Sequence, residues 1–150
     1  MTRQAEDRRE CAAGEGQGTE SGLDALGGWA LDVGALVAFA EADTFVEAMV
    51  ASCRRRGQTV LICDTSLASA LAAVPQHRAR LVHLCQEASS WLAELATADS
   101  AAVVSRLPRA GGDLGLAHLV YEAARRGYAV LSDRRAEVLA VDASLLVEAA

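Results

Sequence analysis

Three aspartates carry the chemistry available to this chain. Asp32 closes the apolar run Trp29, Ala30, Leu31; Asp113 opens a helical stretch; Asp133 closes Tyr128, Ala129, Val130, Leu131, Ser132. In an open α/β sheet the strand ends line the crevice where ligands bind, and hard divalent cations take clustered carboxylate oxygens. Magnesium keeps several of its waters, so two or three well-placed aspartates suffice for one ion. Asp32, Asp113 and Asp133 are therefore expected to form a metal site for Mg2+ or Mn2+, with Ser132 placed to bond a carboxylate or a bound water. Taken singly, each aspartate is more simply a helix N-cap that accepts the first free N–H groups of the following turn. Taken together, at these relative positions, they favour the metal site.

The elements that must position these acids follow from apolar periodicity. After Asp32, the residues Leu36, Phe39, Ala40, Phe45, Val46, Met49 and Val50 recur at helical spacing, and Arg54, Arg55, Arg56 and Gly57 close the stretch. Cations in a last turn complement the helix dipole and glycine supplies a left-handed cap, so the arginine triplet needs no ligand to explain it. Thr59 to Cys63 reads as a second strand ending at Asp64, with Thr65 and Ser66 as N-cap candidates for the next helix. Ser66 to Ala96 is helical in pattern, broken near Pro75, with Leu67, Leu71, Leu81, Leu84, Trp91, Leu92 and Leu95 as expected core contacts. Ala101 to Leu107 is expected as a third strand. A loop from Pro108 to Gly112 leads to a helix from Asp113 to Arg126, a cap at Gly127 and a central strand from Tyr128 to Ser132; a last short strand covers Leu145 to Val147. Strands alternating with helices predict an α/β fold, a parallel sheet flanked by helices on both faces.

Composition sets the frame. At 150 residues the chain is expected to form one domain, residues 29–150, preceded by a disordered tail at 1–28 that lacks the large apolar side chains needed to offset ordering. Hydrophobic residues make up 52% and aromatics only 4%, so the core is Ala, Val and Leu, and an aromatic platform for stacking RNA bases is not expected. A net charge of -6 and a pI near 5.0 disfavour a general nucleic-acid binder, which carries a broad basic field. Cys11, Cys53, Cys63 and Cys85 show no C-x-x-C spacing and follow no secretion signal, which predicts free thiols in the cytoplasm. No apolar run reaches the roughly 18 residues that span a bilayer, so a membrane is not expected as a partner.

Other reactive residues lack the company their chemistry needs. His77 and His83 lie six apart, not at the i, i+4 spacing of a helical zinc pair, and His83 with Cys85 completes no ligand set. His118 could act as a general base but reads as structural or surface. Ser66 and Ser69 have no nucleophile elbow. Gly111, Gly112 and Gly115 precede a helix, yet the chain has no lysine, which excludes a P-loop. Arg134 and Arg135 could face a phosphate backbone, though a solvated loop explains them as well.

The segments LDVGALVAFA (31–40), VLICDTSLASAL (60–71), DLGLAHLVYEAARRG (113–127) and AVLSD (129–133) together resemble the PIN domain, in particular the small VapC-type toxins. The resemblance spans about 29–150. It implies a magnesium-dependent ribonuclease of a toxin–antitoxin pair, with an acidic quartet from the first strand, a helix after the second strand, a later helix, and a strand ending in Thr or Ser then Asp. Asp32 and Asp133 match the first and last members. The second should fall near Ser69 or Ala70, with Asp64 about a turn and a half upstream, and the third directly before Ala117 and His118, where Leu116 stands; Asp113 lies one turn earlier on roughly the same face. The expectation is a Mg2+- or Mn2+-dependent endoribonuclease acting on RNA. The alternative is a catalytically degenerate PIN-like module that binds an antitoxin, another protein or its own copy, and a purely structural domain is a third reading.

Overall fold

A computed structural model describes residues 27–150, so the tail expected at 1–28 lies outside the described residues except for Gly27 and Gly28. Five strands form one all-parallel sheet: β1 (Gly28–Leu31), β2 (Thr59–Cys63), β3 (Ser90–Ala93), β4 (Ala129–Leu131) and β5 (Val147–Glu148), ordered β3-β2-β1-β4-β5. Alternation along the strands sends Trp29, Leu31, Val60, Ile62, Ala129 and Leu131 to one face. There they meet α1 (Val33–Ala40), α2 (Thr44–Arg56), α3 (Asp64–Ala73) and α4 (Arg78–Gln86) through Leu36, Val46, Val50, Ala70, Leu81 and Leu84. Ala30, Leu61, Cys63 and Val130 face the other way, onto α5 (Ser100–Val104), α6 (Leu114–Arg126) and α7 (Arg135–Val141). This is the α/β architecture expected from the alternating pattern.

Local chemistry explains where the expected boundaries hold and where they shift. Gly57 (φ 66°) and Gly127 (φ 68°) close α2 and α6 in the left-handed region, as their positions after arginine-rich last turns predicted. The single helix expected after Asp32 is two. Ala42 adopts φ 65°, and Asp43 restarts the chain by accepting from the N–H groups of Phe45 (2.9 Å) and Val46 (3.0 Å). Neither Thr65 nor Ser66 caps α3, which begins at Asp64 with no side-chain cap.

The largest correction concerns the third strand. Ala101 to Val104 belong to α5 and the next three residues to a turn, with Val103 buried, while the third strand of the sheet is Ser90–Ala93, inside the stretch expected to be helical. Pro75 does break that stretch, through a short 3-10 turn at Pro75–His77, but the helical part ends at Gln86. Trp91 and Leu92, expected in the core, are 57% and 39% exposed because β3 is an outer strand of the sheet. No helix among the described residues is long and apolar enough to cross a membrane.

Candidate functional site

The pairing of β1 with β4 sets up the site. Leu31 lies opposite Leu131, and Asp32 N–H continues the ladder to the Leu131 carbonyl (3.0 Å), so Asp32 and Ser132 leave the sheet side by side at its carboxyl edge. Asp32 is fully buried. Its Oδ1 accepts from Val33 N–H (2.7 Å), capping α1, and its Oδ2 accepts from the Ser132 hydroxyl (2.7 Å). Asp32 is thus the N-cap of α1, one of the two roles weighed for it, and its second oxygen takes the bond from Ser132 that its position allowed.

The remaining capacity of Asp32 is filled by Arg134. The guanidinium grips the carboxylate with two bonds, Nε to Oδ2 (3.1 Å) and Nη2 to Oδ1 (3.0 Å), the fork geometry that makes arginine the preferred partner for a carboxylate. Its third nitrogen, Nη1, donates to Asp113 Oδ2 at 2.7 Å and lies 3.4 Å from Glu137 Oε2. The Arg134 backbone N–H donates to Ser132 Oγ (2.9 Å), which fixes the turn that sends the side chain back over the sheet. Asp113 meanwhile caps α6 by accepting from Leu116 N–H (3.0 Å). The bonds from Asp32, reinforced by Asp113, push the Arg134 guanidinium to an even higher pKa than usual, against the opposing effect of partial burial. Partial burial acts to raise the Asp113 carboxyl, but the Arg134 and Leu116 hydrogen bonds outweigh it and hold that carboxyl below its ordinary range.

Asp133 takes a different direction. It is exposed at the rim, its carboxylate lying over Gly34 so closely that a Cβ there would collide with it. Val33, Gly34, Ser69, Asp113, Asp133 and Arg134 line one cleft of about 350 Å3. Asp113 and Asp133 therefore border the same cleft, with Asp32 buried behind Arg134. Ser69 contributes a hydroxyl to this wall, donated to the Thr65 carbonyl (3.1 Å), and Ala70 is buried in the core; these are the two positions near which the resemblance implies an acid. Where it implies the next acid, Leu116 is buried in the core between α6 and the sheet. Asp64 does not substitute for either: its oxygens accept from Thr65 N–H (2.7 Å) and Leu95 N–H (3.1 Å), and it faces His118.

Whether these residues fit a divalent ion can be judged from the donors. Both oxygens of Asp32 and one of Asp113 are spent on a guanidinium, and among the described residues no group of three Asp, Glu, His or Cys side chains converges closely enough to hold a metal. In this arrangement the residues do not fit a resident Mg2+ or Mn2+. A fixed organic cation lies where the carboxylates converge.

A second polar cluster lies beneath α6. His118 is buried, its Nδ1 2.9 Å from Thr65 Oγ1 and 3.5 Å from Asp64 Oδ1, while Nε2 has no hydrogen-bond partner among the described residues and lies 4.0 Å from Glu122 Oε1. Glu122 is itself buried and pairs with Arg126 at 2.9 Å. Burial depresses the His118 pKa, only partly countered by Asp64 and Glu122. This makes His118 an interior structural residue. Arg134 is the site residue that sequence undervalued; its adjacency to Asp133 was the one signal available.

No family model matches this chain, and no curated protein matches it.

Proposed function

We propose that this chain is a PIN-like domain that acts by binding a protein partner, its metal-dependent nuclease chemistry replaced by an internal ion pair. The observation that carries this reading is the position of Arg134, which supplies from within the chain the positive charge that clustered carboxylates otherwise recruit from solution. Ser69 and Leu116 point the same way, since a hydroxyl and a core leucine stand where acids are implied. Free, buried Cys53 and Cys63 suit a reducing, cytoplasmic setting.

A ribonuclease using Mg2+ or Mn2+ is the second reading, with RNA as substrate and an antitoxin as regulator. It is favoured by the convergence of Asp113 and Asp133 on one cleft, with Asp32 directly behind it. Calorimetric titration of the full chain with Mg2+ and Mn2+, alongside Asp32→Asn and Asp133→Asn, separates the two. No heat from the wild type at millimolar metal supports the binding module. Saturable binding that both substitutions abolish, accompanied by metal-dependent cleavage of RNA, would overturn it in favour of the nuclease.

A further inference from the structure

Among the described residues, the outer edge of β3 is an open ladder with an apolar surface. In a parallel pair, alternate residues direct both N–H and C=O to the same neighbour. Val60 N–H donates to the Ser89 carbonyl (2.8 Å), so Ser89, Trp91 and Ala93 address β2, and Ser90, Leu92 and Glu94 present their backbone groups outward. Of these, Ser90 N–H is already satisfied within its own turn by the Glu87 carbonyl (3.0 Å). Among the described residues, the groups left for pairing are Ser90 C=O, Leu92 N–H and C=O, and Glu94 N–H and C=O. An exposed apolar edge of this kind is a template for another strand, and this one carries neither lysine nor proline to block it.

We infer that β3 pairs antiparallel with β3 of a second copy of this chain, about a twofold axis at Leu92, joining two five-stranded sheets into one of ten. In that register Leu92 opposes its own copy and the two exchange both backbone bonds, while each Glu94 N–H donates to the Ser90 carbonyl opposite. Four of these five groups of each edge are then used, and the Glu94 C=O, opposite the Ser90 N–H already spent within its own turn, stays with water. Trp91, on the α6 face of the strand, comes to lie opposite Ala93 of the second copy, a residue small enough to take an indole across it.

Charge supports the same register. Arg54 of α2 lines a cleft with Ser89, Ser90 and Trp91, and its guanidinium is half exposed although it pairs with Glu87. Glu94 of the second copy, opposite Ser90, enters the sheet face on which α2 packs. It thereby meets both Arg54 and the Ser90 hydroxyl, a buried oxygen without a hydrogen-bond partner among the described residues. Twofold symmetry repeats the contact at the other end, as closed symmetric dimers require. The inference rests on the binding-module reading in taking this chain's own copy as a partner.

Sedimentation equilibrium of the full chain tests it, from micromolar to submillimolar concentration. The wild type should sediment at twice 15.7 kDa. Glu94→Arg, which opposes Arg54 twice per dimer, should weaken association about tenfold, and adding Arg54→Glu should restore it. Thermal melts of each variant separate loss of association from loss of fold. A monomeric wild type would overturn the inference and leave the edge to a strand of another protein; a dimer indifferent to Glu94→Arg would overturn it by placing the interface elsewhere. A dimer that also cleaves RNA with metal would instead refute the binding-module reading while keeping the β3 pairing.

Discussion

Replacing Arg134 with Met preserves much of the aliphatic stem and removes the guanidinium, so its cost measures the internal cation directly. Asp32 is wholly buried and would lose two charged hydrogen bonds, retaining those from Ser132 and Val33. Stripping one partner from a fully buried ion pair costs about 3–5 kcal/mol. Arg134 is 26% exposed, so water can partly replace it, and two bonds to Asp32 survive; a loss of about 2–3 kcal/mol is expected. For a domain of this size that corresponds to a melting temperature lower by roughly 8–12 °C. Urea unfolding followed by circular dichroism at pH 7 reads the loss. An Arg134→Met variant within about 0.5 kcal/mol of wild type would refute the view of Arg134 as the resident cation.

His118 makes stability fall on acidification. Its folded pKa is depressed, so the unfolded chain takes up a proton first, and stability is lost as pH drops below about 6.5 toward the folded value. His118→Gln should flatten the melting temperature between pH 7 and pH 5, and an unchanged slope would show that other groups govern it. Two glycines, one at the start of the central strand and one in the cleft, should respond unequally to alanine. A Cβ at Gly28 meets the Thr59 backbone carbonyl, which cannot move without breaking the β1–β2 pairing, so Gly28→Ala should cost about 2 kcal/mol. The three atoms nearest a Cβ at Gly34 all belong to the exposed Asp133 carboxylate, which can swing away, so Gly34→Ala should cost under about 1 kcal/mol; equal thermal shifts would contradict this ranking.

Sequence reveals most where burial is two-sided. β1, β2 and β4 are apolar runs because helices cover both faces; the ends of β1 and β2 at Asp32 and Asp64 are legible in sequence, while β4, expected over Tyr128–Ser132, is one residue shorter at each end. β3 escaped because an outer strand asks for little burial: Ser-Trp-Leu-Ala has one buried residue, and its spacing merges with the helix before it. α5 was misread from Ala-Ala-Val-Val, where β-branched residues suggest a strand, although only Val103 needs a core. Within the site, the backbone position of Asp32 was legible while the direction of Arg134 was not. A long side chain chooses its rotamer from partners a hundred residues away, and nothing local to residue 134 names Asp32. The same applies to Leu116, whose place in the core reflects how α6 rolls onto the sheet.

The strand order has a consequence for how the chain is made. β1 occupies the middle of the sheet, but its β4 neighbour and the cation for Asp32 lie about a hundred residues downstream. During synthesis, Asp32 leaves the ribosome long before Ser132 and Arg134 exist, and until they emerge its carboxylate must stay in water. The central strand can therefore dock fully only near the end of translation, which gives a high-contact-order assembly step. Messages interrupted before Arg134 would yield chains with an unpaired central strand and an unneutralised interior acid, the kind of product that cellular quality control removes.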